Sequence, residues 1–219
     1  MLEGCPLVRV KVCGITNLTD AMIAAELGAH GLGFIFAPSP RRVSPEAAQN
    51  IIKRLPPFVQ AVGVFVNENP GRIKEIMDYC GLDLVQLHGE ESPDMCKALM
   101  PRCIKAIRIG TKVNLKLLQG YEGKVRALLL DTHFHKIRGG TGEVFDWRLA
   151  AQASAAGVPI ILAGGLNPGN VREAVEKVKP MGVDVNSGVE QRPGKKSPML
   201  LEEFMNKIRE INHEDQTYG

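Results

Sequence analysis

Cys13 and Asp131 are the side chains of this sequence best suited to move protons, because each ends a short apolar run. Cys13 follows the run 7–12 and precedes Gly14, and Asp131 follows the run 127–130. A thiolate can act as a base or nucleophile, and burial raises the pKa of a carboxyl group so that it can act as an acid near neutral pH. The simpler alternatives are a buried apolar cysteine and a solvated or helix-capping carboxylate.

Glycine-rich segments supply candidate sites for an anion. Gly164 and Gly165 follow one apolar run, and Asn186, Ser187 and Gly188 follow another. Glycine lets backbone N–H groups approach a phosphate closely, and a helix N-terminus adds a partial positive charge. In many barrels of parallel strands the loops after strands seven and eight bind a substrate phosphate. The alternative for these glycines is a tight turn alone.

Four further polar residues are candidates for substrate binding. Arg41 and Arg42 follow a Pro-Ser-Pro stretch, and either guanidinium can bind a carboxylate through two N–H groups unless both are simply solvated. His88 ends the run 83–87, which suits a ligand, an acid or a packing residue. Asp184 lies inside a short apolar run, where it would either contact substrate or make a structural hydrogen bond.

Two more segments lie close to these candidates in the sequence. The glycine-containing loop 132–144 could close over a ligand or remain a surface loop. Lys195 and Lys196 are interpreted as a solvated pair that can add positive potential near the phosphate.

The elements that must position these residues alternate regularly along the chain. Eight apolar runs read as strands buried on both faces, and segments with helical periodicity separate them. The predicted strands are 7–12, 31–36, 61–66, 83–87, 104–109, 126–131, 159–163 and 183–186.

Helix boundaries are marked by capping residues and by glycines. A capping side chain followed by proline predicts a helix start, and a glycine before a strand predicts a left-handed stop. The predicted starts are Ser44-Pro45, Asn69-Pro70, Ser92-Pro93, Asn167-Pro168 and Ser197-Pro198, and the predicted stops are Gly28, Gly81 and Gly182.

Eight strand–helix units predict a single α/β domain, residues 1–219, folded as a closed (β/α)₈ barrel. A doubly wound open sheet is the main alternative. The polar segment 212–219 is expected to fray. In the barrel, Cys13, Arg41, Arg42, His88, Asp131 and the glycine loops all gather at one mouth.

Composition excludes several classes of protein. The chain has 219 residues, 44% of them apolar, and a net charge of +3. It has no apolar run near the roughly 18 residues of a membrane span, and its near-neutral charge gives no case for nucleic-acid binding. No close cysteine and histidine pair has the spacing of a zinc finger. Five cysteines and the absence of a secretory signal at the N-terminus favour free thiols in the cytoplasm.

The ordered set of motifs from about residue 8 to residue 210 resembles the phosphoribosylanthranilate isomerase family. The segments that carry the resemblance are Lys11–Thr16, Gly63–Asn67, Gln86–Glu90, Leu129–Thr132, Gly139–Gly142, Phe145–Trp147, Ala163–Pro168, Val183–Val185 and Ser187–Glu190.

The resemblance implies an enzyme of tryptophan biosynthesis that isomerises N-(5-phosphoribosyl)anthranilate to 1-(2-carboxyphenylamino)-1-deoxyribulose 5-phosphate. This Amadori rearrangement requires no cofactor or metal. The resemblance assigns Cys13 as general base, with a pKa below the free thiol's value of about 8.5, and Asp131 as general acid. It places Arg41 at the anthranilate carboxylate and the phosphate on Gly164, Gly165 and the loop 186–188.

Some points stay open at this stage. Asn186 stands where the family often has serine, and Arg42 leaves the choice between the two arginines unsettled. The alternatives are another phosphate-binding barrel enzyme, such as an aldolase that uses Lys11 or Lys105, and a phosphosugar-binding protein without catalysis. A monomer and a homodimer are both compatible with the sequence, as is a second, related substrate.

Overall fold

Eight parallel strands form a closed barrel in the computed structural model, which describes residues 7–110, 112–131 and 147–217. Each strand pairs with the next, and β1 pairs with β8, so the sheet has no open edge. The structure therefore confirms the predicted (β/α)₈ barrel and excludes the open sheet. The strands are β1 Arg9–Val12, β2 Gly31–Ile35, β3 Gln60–Phe65, β4 Leu84–Leu87, β5 Cys103–Arg108, β6 Ala127–Asp131, β7 Ile160–Ala163 and β8 Gly182–Val185.

Helices lie between the strands, and side-chain caps begin several of them. Ser44 caps α2 by accepting from the Ala47 N–H, and Ser92 caps α4 in the same way. Asn69 caps α3, which ends on the left-handed Gly81 as predicted. The helices are α1 Leu18–Glu26, α2 Pro45–Ile52, α3 Pro70–Cys80, α4 Pro93–Lys97, α5 Leu115–Gln119, α6 Trp147–Gln152, α7 Val171–Val178 and α8 Pro198–Thr217.

Two predicted boundaries near the C-terminus were wrong. The helix expected to start at Asn167 begins three residues later, after Asn170, because Asn167 first forms a turn in which its Oδ1 accepts from the Gly169 N–H. The left-handed stop of α7 is Lys179, with φ of 49°, and Gly182 instead starts β8. Helix α8 continues to Thr217, so the segment from residue 212 that we expected to fray is helical as far as Thr217.

A short antiparallel hairpin follows the barrel, and the sequence analysis did not predict it. Strands β9, Glu190–Arg192, and β10, Lys195–Lys196, pair so that Lys196 lies opposite Glu190. Asp20 of α1 anchors the hairpin, accepting from Lys195 Nζ at 2.5 Å and from the Lys196 N–H at 2.8 Å. The hairpin is therefore fixed against the barrel at the end where β8 leaves it.

Two apolar cores lie on opposite faces of the sheet. The larger core packs the outer face against the helices, and a smaller one fills the inside of the barrel. Because side chains alternate across a strand, the inner positions fix the direction of later residues on the same strand. Leu84 and Leu129 point inward, so His88 and Asp131 point inward at the carboxyl ends of their strands. The inner core consists of Val62, Leu84, Ile104, Ala106, Ala127, Leu129, Ile161 and Ala163.

Two other sequence expectations can be compared with the described residues. Cys13, Cys80, Cys96 and Cys103 are buried free thiols, and Cys5 lies outside the described residues. None of the described helices is long and apolar enough to cross a membrane.

Lys105 and Glu91 form an ion pair outside the barrel, beneath the loop that carries His88. Lys105 Nζ lies 2.9 Å from Glu91 Oε2, with the two side chains 2% and 1% exposed. The ammonium also donates to the Gly89 carbonyl at 2.6 Å, and Glu91 accepts from the Asn67 N–H at 2.8 Å. Since β5 presents Lys105 to its outer face, this lysine holds the loop and does not reach the barrel interior.

We predict that Lys105→Met lowers the free energy of unfolding by about 3–5 kcal/mol, because it leaves the buried Glu91 carboxylate without its cation. Urea denaturation measures the change. The matched control is Lys177→Met, which breaks an exposed ion pair to Glu173 at 2.6 Å and is expected to cost less than about 0.5 kcal/mol. Similar losses in the two variants would contradict the prediction.

Candidate active site

Cys13 lies at the carboxyl end of β1 and faces the barrel mouth. Its N–H donates to the Val185 carbonyl of β8 at 2.8 Å, so strand pairing positions the thiol. Gly14 then turns the chain, with φ of 75°. A Cβ at Gly14 would lie 2.6 Å from Asn186 Oδ1 and 2.8 Å from Arg41 Cδ. Three candidate residues, Cys13, Arg41 and Asn186, therefore meet around this glycine.

Lys11 is the charged neighbour of the Cys13 thiol. The two residues share the inner face of β1, and a Cβ added to Gly33 of β2 would lie 2.8 Å from Cys13 Sγ and 3.1 Å from Lys11 Nζ. The ammonium lies near enough to the thiol to act on its pKa, and it donates to Asp184 Oδ1 at 2.8 Å. Asp184, predicted to contact substrate, is therefore held by a lysine beside the predicted base.

Burial raises the pKa of Cys13, and the negative charge of Asp184 acts in the same direction. Lys11 and, more weakly, Lys196 act to lower it but do not outweigh burial. The direction is opposite to the lowered pKa that the sequence analysis expected of a base. Burial would also lower the pKa of Lys11, but Asp184 and Cys13 outweigh it, so the pKa of Lys11 is raised and the ammonium stays charged.

His88 and Asp131 meet at the mouth, between the ends of β4 and β6. His88 Nε2 lies 3.2 Å from Asp131 Oδ2, and His88 Nδ1 lies 3.1 Å from the buried Gln86 Nε2. An amide nitrogen can only donate, so Nδ1 accepts and Nε2 carries the proton that it donates to Asp131. With this orientation of the amide, Gln86 sets the tautomer of the histidine that contacts the predicted acid.

Arg41 is held in place by the Glu190 carboxylate, which accepts hydrogen bonds from two nitrogens of its guanidinium. Its Nε lies 2.9 Å and 3.1 Å from the two Glu190 oxygens, and its Nη2 lies 2.6 Å from Oε2. The hydrogen bond to Glu190 raises the pKa of Arg41. Arg42 instead extends the pairing of β2 through a bridge to Ile35. Of the two arginines, Arg41 is the one that the structure places beside Cys13.

Lys196 is buried, which corrects its interpretation as half of a solvated pair. Its residue is 2% exposed, and Nζ lies 3.0 Å from Glu190 Oε1 and 3.1 Å from Asn186 Oδ1. Burial lowers the pKa of Lys196, while Glu190 acts to raise it. Long-range contacts that the local sequence does not encode remove this lysine from water.

The two glycine loops touch each other at the mouth. Gly164 and Gly165 have φ of 93° and 68°, a backbone that glycine adopts without strain. A Cβ at Gly188 would collide with the Leu166 carbonyl, so the turn Ser187–Val189 packs directly on the loop after β7. The predicted phosphate-binding residues therefore form one continuous backbone surface.

Some predicted features are not part of this arrangement. The loop 132–144 lies outside the described residues. Within the described ranges, no group of three or more histidine, cysteine or acidic side chains could hold a metal ion.

The family comparison agrees with the geometry. The model of the N-(5′-phosphoribosyl)anthranilate (PRA) isomerase family matches residues 10–207. A protein of that name from Geobacter sulfurreducens is 52% identical over 204 residues, which cover 93% of this chain and 99% of the relative.

This chain belongs to the PRA isomerase family.

Solved members of the PRA isomerase family share the barrel. The phosphoribosylanthranilate isomerase structure from Thermotoga maritima has 44% identity and a TM-score of 0.84, covering 93% of this chain and 99% of that one. A complex of a phosphoribosylanthranilate isomerase with reduced 1-(o-carboxyphenylamino)-1-deoxyribulose 5-phosphate has 42% identity and a TM-score of 0.82, with the same coverage.

Sequence reasoning missed three residues of the site, namely Lys11 as the partner of Cys13, Gln86 and Glu190, and it missed the burial of Lys196. Lys11 had a usable signal, because it stands two residues before Cys13 in one strand and must share its face. Gln86 has the same relation to His88. Glu190 and Lys196 meet only through the hairpin register, which their polar surroundings do not reveal.

We predict that Gly33→Ala disturbs the thiol and its lysine, whereas Gly31→Ala on the same face of β2 does not. A Cβ at position 33 lies 2.8 Å from Sγ, whereas at position 31 the nearest atoms are 3.6 Å away. Crowding of this kind costs about 1–3 kcal/mol. Urea denaturation of both variants tests the difference, and equal stability would contradict the geometry.

Proposed function

We propose that this protein converts N-(5-phosphoribosyl)anthranilate to 1-(2-carboxyphenylamino)-1-deoxyribulose 5-phosphate, with Cys13 as general base and Asp131 as general acid. The observation that carries the proposal is the convergence of Cys13, Asp131, Arg41 and the glycine loops at one mouth of a PRA isomerase barrel. The reaction requires an acid, a base and sites for two anionic groups, and this mouth offers candidates for each.

The acid step opens the ribose ring. Asp131 gives its proton to the ring oxygen, the C1′–O bond breaks, and the nitrogen lone pair forms an iminium cation with C1′. Asp131 Oδ2 accepts from His88 at 3.2 Å. His88 therefore orients the carboxyl group that acts as the acid.

The base step removes the proton on C2′. The iminium cation acidifies this C–H bond, and the Cys13 thiolate takes the proton, leaving an enolamine with a C1′–C2′ double bond. The enolamine then gains a proton on C1′ and loses its hydroxyl proton to become the ketone. Protons move between side chains and substrate and none is consumed, so the proposal requires no cofactor or metal.

The raised pKa of Cys13 fits this order of events. Burial favours the thiol in the unliganded site, so the sulfur must release its proton to solvent before it can accept the one from C2′. The iminium places a positive charge close to the sulfur and so favours the thiolate at the step that needs it. A positioned acid or base of this kind typically contributes about 10²–10⁴-fold to the rate.

The two anionic ends of the substrate are assigned to two different groups of hydrogen-bond donors in the site. Arg41 binds the anthranilate carboxylate, and the phosphate lies on Gly164, Gly165 and the loop 186–188, since glycine lets backbone N–H groups approach an anion closely. Asp184 acts through Lys11 in this scheme.

The structure disfavours an aldolase on the same barrel. A Schiff-base aldolase needs an uncharged lysine that opens into the mouth. Lys105 faces outward and is paired with Glu91, and Lys11 is an ion-paired ammonium. A phosphosugar-binding protein without catalysis remains the second candidate, and turnover separates it from the enzyme.

The proposed setting is the cytoplasm, as part of tryptophan biosynthesis, with the chain as a monomer or a homodimer. The molar mass in solution, measured by light scattering, decides between the two assemblies.

We predict that Cys13→Ser and Asp131→Asn each lower kcat by about 10²–10⁴-fold, because each removes one proton-transfer group. The loss of substrate fluorescence without added metal measures turnover. The control for the acid is Asp94→Asn, whose side chain is 90% exposed, and the control for the thiol is Cys80→Ser, within α3. Unchanged kcat in either site variant would refute that residue's role.

We predict that kcat/KM rises with pH beyond the ordinary thiol range, because burial raises the pKa of Cys13 and only the thiolate is the base. In Lys11→Met this rise of kcat/KM should occur at higher pH, since the variant removes a cation that favours the thiolate and leaves Asp184 in place. If kcat/KM rises at the same pH in Lys11→Met as in the wild type, the lysine does not act on the thiol.

A further inference from the structure

Arg41 offers a bound ligand one edge of its guanidinium, because Glu190 occupies the other. Nε and Nη2 both donate to Glu190. Within the described part of the chain, Nη1 donates to no protein group, and the side chain is 19% exposed. The guanidinium is planar, so two-point contact with Glu190 fixes the direction in which the remaining N–H groups point.

Glu190 is well placed to fix that direction because it is buried and ionised. Its side chain is 3% exposed, and it also accepts from Lys196 Nζ at 3.0 Å and from the Gly194 N–H at 3.2 Å. Burial acts to raise the pKa of Glu190, but the hydrogen bonds from Arg41 and Lys196 outweigh it, so the pKa is lowered.

Lys196 determines the net charge of this group. Arg41 and Glu190 alone would be a neutral pair with little attraction for a carboxylate. The buried ammonium of Lys196 balances Glu190, and the three side chains together carry one positive charge. The positive charge of Arg41 is therefore available to an anionic ligand.

The same lysine connects the two proposed anion sites. Lys196 Nζ donates to the Asn186 carbonyl at 3.2 Å and to Asn186 Oδ1 at 3.1 Å. Asn186 begins the loop assigned to the phosphate, and Glu190 ends the turn that follows it. The chain Asn186–Lys196–Glu190–Arg41 thus sets the spacing between the two anion sites.

We propose that Glu190 and Lys196 are positioning residues that make the enzyme selective for a carboxylate on the aromatic ring of its substrate, by fixing the Arg41 guanidinium. The inference rests on the proposed function. It assigns roles to two residues that do not themselves need to touch substrate.

The test measures equilibrium binding of two ligands to the full-length protein. One is reduced 1-(o-carboxyphenylamino)-1-deoxyribulose 5-phosphate, and the other is the same molecule without the carboxylate. The wild type should prefer the carboxylated ligand by about tenfold or more, because a charge-assisted hydrogen bond contributes about 1.5–3 kcal/mol. Both ligands carry the phosphate, so the ratio of their affinities isolates the carboxylate.

The deciding variant is Glu190→Gln/Lys196→Met. It keeps the net charge of the three side chains at plus one but removes the two ion pairs of Glu190 that hold Arg41. Its preference for the carboxylated ligand, taken as the ratio of the two affinities, should fall by about tenfold. Lys196→Met alone should also lose the preference, since Arg41 and Glu190 then neutralise each other. The control is Lys195→Met, a neighbouring lysine that pairs with Asp20 and should leave the ratio unchanged.

Each outcome has a distinct meaning. A wild-type preference that survives in the double variant would overturn the positioning role, as would an equal loss of affinity for both ligands. If the wild type binds both ligands equally, the carboxylate assignment fails while phosphosugar binding stands. If it binds neither, the proposed function itself fails.

Discussion

Lys11 and Asp184 join the first and last strands of the barrel through one buried ion pair, and the chemistry of the mouth depends on it. The pair lies in register across β1 and β8, where the sheet closes. Desolvating two charges costs several kcal/mol for each, so a buried ion pair is a poor source of stability. Its effect is on its neighbours: it places a cation against Cys13 and keeps that cation charged inside the barrel.

The mouth contains two sets of charged side chains, one with no net charge and one with a net positive charge. The opposite charges of Lys11 and Asp184 cancel at long range, so the pair affects the thiol only because it lies close to it. Arg41, Glu190 and Lys196 retain a positive charge, which is felt across the mouth where both ends of the substrate are anionic. The mouth is thus set up to attract an anion, while burial favours the protonated form of its thiol.

The sequence predicted the parts of the fold that depend on local patterns. All eight strands were found within two residues, because runs such as 127–130 are apolar on both faces, and Ser44, Asn69 and Ser92 marked their helices correctly. The hairpin β9–β10 was missed because its residues are polar and its pairing depends on Asp20, far away in the chain. The start of α7 was misplaced because asparagine is a favourable N-cap at both 167 and 170, and only the turn formed by Asn167 determines which of the two begins the helix.

The same division applies to the site. Position at the carboxyl end of a strand was enough to nominate Cys13, His88 and Asp131, since topology alone brings those ends together. Burial of Lys196 and the pKa of Cys13 depend on what surrounds each group in three dimensions. For Cys13, the sequence suggested that a base requires a lowered pKa, whereas the surroundings produce a raised one.

Gly31 and Gly33 leave the first two inward-facing positions of β2 without side chains, and this has a consequence for how such a protein can change. The space is taken by a lysine and a thiol, so the inner layer at this level is polar while the larger core between sheet and helices remains apolar. Folding and chemistry therefore depend on opposite faces of the same strands. Selection can exchange inner residues for those that suit a different substrate, and the outer face continues to specify the barrel.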